Sequence, residues 1–238
     1  YREKKINLLI NKIKQELARL YAIPILSPQI ITIDKWMRVE GKSKIDPTRQ
    51  LITLYEISTK IAPFKDQSFE DFLSWGNTLL KDFDEVDRYL LDAKAVFKNL
   101  KSIKELETWQ IDDEELSSSQ KKFKAFWGHI PNIYKRFHEH LEQEKKTTSG
   151  RAYRDFNDAI IDEVSQLKEN HKFIFAGFNA LSLSELSVMK KLIEMKCAVF
   201  ISDADHFYTG DSIHEAGSFI KKNHEFLNVD NPIPVLSS

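Results

Sequence analysis

Asp203, Asp205, His206, Asp211 and His214 form the densest group of hard-cation ligands in the sequence. Two carboxylates and an imidazole at a strand end can hold a divalent ion. The metal candidates are Asp203, Asp205 and His206, and the chemistry would be metal-assisted hydrolysis. The same residues also fit a solvated loop followed by a helix that Asp211 caps. His138 and His140 stand two apart on a helical pattern, so they point in different directions and cannot share one ion. Asp82, Asp84, Glu85 and Asp87 alternate with Phe83, Val86 and Tyr89 and read as a solvated helix face, with a partner surface as a second use. No GxSxG, SxxK or Cys/His pairing is present. Asp162, Glu163 and Lys168 have helical spacing and no flanking strand, which sets aside a nuclease-type carboxylate and lysine set.

Other residues suit nucleic acid. Arg2, Lys4, Lys5, Lys12 and Lys14 cluster near the start, and Lys121, Lys122 and Lys124 cluster later. Trp36, beside Lys35 and close to Thr32, offers a ring on which a base can stack. A core position is the competing reading for that Trp. The formal net charge is −1 over 238 residues, so any nucleic-acid contact must come from a local patch rather than from the whole chain.

The composition supports a sizeable core. Hydrophobic residues make up 42% and charged residues 30%, an ordinary globular balance. The single cysteine, Cys197, sits in an apolar run, which excludes an internal disulfide and a CxxC metal site and suits a reducing compartment. No apolar run approaches the roughly 18 residues of a membrane span, and no secretory signal is visible. A cytoplasmic location is expected. The chain begins at Tyr1 and stops after the apolar Pro232–Leu236 run, and it is read as a piece of a longer protein.

The elements that must position these residues start with Ile6–Ile10, an apolar run that suits a strand. A helix is expected over Asn11–Tyr21. In a nucleotide-binding domain the junction at Ile10-Asn11 would carry a phosphate loop, which needs glycines followed by Lys and Ser/Thr. Asn11-Lys12-Ile13-Lys14 contains no glycine. Gln29–Ile33 reads as a strand leading through Asp34 into a short helix, and Asp46-Pro47 as the start of another helix. From Pro47 to Lys168 the pattern is helical. Its pieces carry Leu51, Leu54, Tyr55 and Ile61; then Phe72, Trp75, Leu79 and Leu80 behind a start at Ser68; then an unbroken helix over 83–100. A further pattern from Phe123 to Leu141 is kinked or split at Pro131. A turn at Thr147–Gly150 precedes a last helix over 153–164.

His171–Tyr208 then reads as strand, helix, strand. Phe173–Phe175 and Cys197–Ile201 are the buried strands. Ser182 and Glu185 have capping-box spacing, ahead of helical apolar positions at Leu183, Leu186, Met189, Leu192 and Ile193. A β-α-β unit of this length implies a right-handed crossover and parallel pairing. A helix with Ala216, Phe219 and Ile220 follows, and Ile233–Leu236 is a possible further strand.

This order resembles the first RecA-like domain of a superfamily 1 helicase. The fold it implies is α/β: a degenerate P-loop NTPase-like parallel-sheet domain over 1–45 and 169–238, with an all-helical insertion over 46–168. Phe173–Ala180 (FIFAGFNA) resembles the Walker B region, Asp203–Tyr208 the following Asp-rich motif, and Ile30–Trp36 the strand whose threonine end meets single-stranded DNA. In that comparison Ala176 and Gly177 stand where the metal-binding Asp and catalytic Glu belong, Asn179 stands for the coupling Gln, and Ala180 follows it.

The chain is closer still to bacterial AddB-like proteins of the PD-(D/E)XK nuclease superfamily. Two stretches carry that similarity, Phe72–Leu106 and Phe175–Asn223, the second ending in HEAGSFIKKN. The resemblance implies a helicase-shaped domain of a DNA repair protein that lacks ATPase residues, and no cofactor is expected in it. The implied partners are single-stranded or duplex-end DNA and an AddA-like helicase-nuclease subunit, with no membrane. Thr32, Lys35, Trp36 and Lys12 are the implied DNA contacts, and an exonuclease domain would lie elsewhere in the parent protein. A metal-dependent hydrolase and a protein-interaction module without DNA binding are the alternatives.

Overall fold

The computed structural model describes residues 2–20, 28–38, 40–62, 64–99, 118–166, 172–202 and 215–229. They fall into two compact units, Tyr1–Arg38 and Val39–Ser238. Among the described residues helix dominates, with two short parallel sheets, so the chain has α/β character in this coarse sense.

The first unit contains α1 (Arg2–Leu20) and α2 (Ile33–Trp36). The expected strand at Ile6–Ile10 is therefore helix. A five-residue apolar run fits either state, and Ile6, Ile10, Ile13, Leu17 and Leu20 recur every three or four residues, which selects the helical phase. Asn11–Lys14 lies within that helix, so no loop interrupts the backbone there. The expected strand at Gln29–Ile33 is also absent: residues 28–32 have no regular structure, and Ile33 opens α2. β-branched residues favour a strand only where a neighbour pairs with it, and among the described residues none does. Thr32 is the N-cap of α2, and its carbonyl accepts from Lys35 N at 3.0 Å and Trp36 N at 3.1 Å.

The second unit opens with β1 (Ser43–Lys44) and α3 (Pro47–Ser58). Asp46 caps α3, accepting from Thr48 N and Arg49 N, with Pro47 where its missing N–H is harmless. Helix α4 (Phe69–Arg88) starts at Ser68, whose hydroxyl accepts from Asp71 N. It does not run on to residue 100. Leu90 adopts a left-handed φ of 54°, Leu91 N bonds Val86 O, and Leu90 N bonds Asp87 O. These are the paired bonds of a Schellman end. Asp92 then caps α5 (93–99).

Helix α6 (Ser118–Gln143) keeps Pro131 inside it and is not split. β2 (Lys146–Thr147) pairs in parallel with β1 and takes in Thr147, the first residue of the expected turn. Ser149 and Gly150 already belong to α7 (Ser149–Gln166). Phe72, Leu79, Phe83 and Val86 of α4, Leu54 of α3, Phe97 of α5 and Ile130, Ile133, Phe137 and Leu141 of α6 make one buried cluster. Gly150 lets α7 cross α4 closely: a Cβ there would lie 2.1 Å from the Asp84 carbonyl oxygen.

β3 (Phe173–Ala176), α8 (Leu183–Glu194) and β4 (Ala198–Ile201) form the expected parallel unit, with Phe173 opposite Ala198 and Ala176 opposite Ile201. The Glu185 carboxylate reaches back to both the N–H and the hydroxyl of Ser182, at 2.7 and 2.6 Å. Alternation leaves the strands buried on one side only. Phe175 and Phe200 are buried, whereas Ile174, Val199 and Ile201 are 68%, 55% and 45% exposed. Helix α9 (Glu215–Leu227) packs on α8.

Candidate functional site

In the first unit, α2 gathers Thr32, Lys35 and Trp36 within one helical turn. Thr32 and Trp36 are half-buried and Lys35 is exposed, while Lys12 is exposed on α1.

In the second unit, the carboxyl ends of β3 and β4 lie side by side. Ala176 ends β3, and Gly177 follows with φ +78°. Open space surrounds the position a Cβ would take at Gly177, so the backbone rather than crowding favours glycine there. Ala180 is exposed, and the Asn179 carbonyl accepts from Asn223 Nδ2 on α9. Just past β4, Ser202 Oγ lies 2.7 Å from His224 Nε2. Burial pushes the His224 imidazole below its ordinary range. Asp203, Asp205 and His206, with Asp211 and His214, lie outside the described residues. Among the described residues no three His, Cys, Asp or Glu side chains gather as metal ligands would.

The most concentrated electrostatic centre was not singled out by spacing. Asp87 is fully buried rather than part of a solvated face. Its Oδ1 accepts from Tyr134 Oη at 2.5 Å and from Arg154 Nε at 2.8 Å. His138 Nε2 stands 3.1 Å from Asp87 Oδ2. His140 faces Glu144 instead, at 3.4 Å, so the two histidines do diverge. The Arg151 guanidinium lies 3.9 Å from Asp87 and binds Asp155, which binds Lys42, which also binds Glu142.

Burial alone would raise the Asp87 carboxyl. The adjoining His138, the Tyr134 hydroxyl and the Arg154 charge outweigh it and hold Asp87 below the usual carboxylate range. Burial, and then the Asp87 charge, push Tyr134 well above a normal phenol, so it stays a donor. Lys42 is raised: its desolvation is outweighed by the bonds to Glu142 and Asp155. With Oδ1 doubly bonded and no exposed edge, Asp87 is an electrostatic clamp between α4, α6 and α7, unsuited to take a proton from a substrate. One signal was available: Asp87 lies four residues after Phe83 and eight after Leu79, on the core stripe of α4.

No known family model matches the chain, and searches of curated proteins and of solved structures also return no match.

Proposed function

We propose that the chain is a non-catalytic, RecA-like helicase domain of an AddB- or RecC-like DNA repair helicase-nuclease. It holds single-stranded DNA and docks a motor or nuclease partner, and the nuclease chemistry of the parent protein belongs to another domain. One observation carries the reading. A parallel β-α-β unit ends its first strand on Ala176 and a left-handed Gly177, where a nucleotide hydrolase of the resembled type needs two carboxylates. The uninterrupted α1 across Asn11–Lys14 supports it, since a phosphate cradle needs a glycine-rich loop. DNA contact is assigned to Lys12, an exposed cation on α1, and to Thr32, Lys35 and Trp36, which share one turn of α2.

The test is fluorescence anisotropy with a single-stranded oligonucleotide over a salt series. Each phosphate contact contributes about −0.7 to the slope of log K against log salt for single strands. Lys12→Glu and Lys35→Glu should each flatten the slope by about that amount. Trp36→Ala should weaken binding by about 1–3 kcal/mol at every salt concentration. Salt-independent binding, or none, sinks the proposal, as does ATP hydrolysis by the chain.

A further inference from the structure

Helix α9 is fastened to both strand ends through neighbouring residues. Asn223, 3% exposed, donates to the Asn179 carbonyl after β3, and His224 meets Ser202 after β4. Ser202 is itself 8% exposed. The His224 ring stands edge-on to Phe200, with centroids 5.7 Å apart. Its Nδ1 is buried with no hydrogen-bond partner.

That setting suits a neutral imidazole and opposes a charged one. An imidazolium carries two N–H donors, and among the described residues a single acceptor, the Ser202 hydroxyl, is in reach. Among the described residues the charged groups nearby offer no compensation. From α8, the Lys190 ammonium sits over the Phe226 ring at 5.0 Å, and on α9 itself Lys221, Lys222 and Glu225 are exposed to water. Burial pushes the His224 imidazole down, and among the described residues no ionic partner opposes it.

We propose that His224 is an acid-sensitive latch whose protonation releases α9 from the ends of β3 and β4. The direction follows from linkage. A histidine held below its unfolded value of about 6.5 contributes its full stability above that pH, and the contribution is lost as pH falls below it. Opening of α9 should therefore become up to about tenfold more favourable at pH 5.5 than at pH 7.5.

Hydrogen exchange of the whole chain at the two pH values, corrected for intrinsic rates, reads this directly. Amides of α9 should exchange up to about tenfold faster at pH 5.5 in the native sequence, and His224→Asn should remove the difference. Equal protection at both pH values overturns the proposal, and so does a difference that survives in His224→Asn. If that variant does not fold, an NMR titration of the native His224 ring decides. A midpoint below 6.5 that coincides with loss of α9 protection supports the latch, and a midpoint at or above 6.5 refutes it.

Discussion

Arg154 binds the Asp87 side chain and the backbone on either side of it. Arg154 Nε donates to the Asp87 carboxylate at 2.8 Å, while Nη2 of the same guanidinium donates to Val86 O and Leu91 O at 2.8 and 2.7 Å. One side chain of α7 therefore neutralises the buried acid and satisfies carbonyls at the end of the helix that carries it. The planar fork of arginine permits this, and a lysine ammonium would not reproduce it.

Asp87→Asn should destabilise the second unit by about 3 kcal/mol, since it leaves the Arg154 charge partly buried without its partner. Arg154→Lys should cost about 1–2 kcal/mol through the lost carbonyl bonds. Urea denaturation of both variants, with unchanged m-values, checks the two figures.

The same carboxylate sets an acid limit. Its folded pKa lies below its unfolded value of about 3.9, so its contribution is complete above that pH and disappears as pH falls through the folded value. Melting temperature should drop steeply below about pH 4. Asp87→Asn should melt lower at neutral pH but lose less on acidification.

Gly150→Ala should be severe for its size. The new methyl would meet the Asp84 backbone, not a movable side chain, and the Gly150 N–H bond to Asp84 Oδ1 would be disturbed as the helices separate. A loss of about 2–3 kcal/mol is expected by denaturation. A loss under half a kcal/mol would mean that α4 and α7 cross less closely.

Lys196→Gly should stabilise. Lys196 closes α8 at φ 59°, and Cys197 N and Lys196 N bond Leu192 O and Ile193 O in the paired pattern seen at Leu90. A left-handed φ costs a side-chain-bearing residue about 1 kcal/mol relative to glycine. The bond from Lys172 Nζ goes to the Lys196 backbone carbonyl and survives the change. A gain of a few degrees in melting temperature is expected.

The sequence made the local starts legible. Asp46-Pro47, Ser68 and Ser182 with Glu185 announce helices by side-chain chemistry that acts within four residues, and each helix begins there. Phe173 and Ala198 mark strands whose pairing follows from the crossover. Ile6–Ile10 and Gln29–Ile33 misled because short β-branched or apolar runs have no fixed state without neighbours. The end of α4 was hidden because Leu90 holds a conformation usually given to glycine. Asp87 was hidden for a different reason. Its partners Tyr134 and Arg154 are 47 and 67 residues away, and only the assembled helices reveal that an acid in an acidic run points inward.

That separation also bears on how the three helices hold together. Burying an ionised carboxylate is costly, and α6 alone offers Asp87 the Tyr134 hydroxyl and the His138 ring, so α4 seals its inner face more favourably with Arg154 of α7 in place. Docking of α7 thus lowers the cost of drying the face between α4 and α6, which couples the three helices energetically.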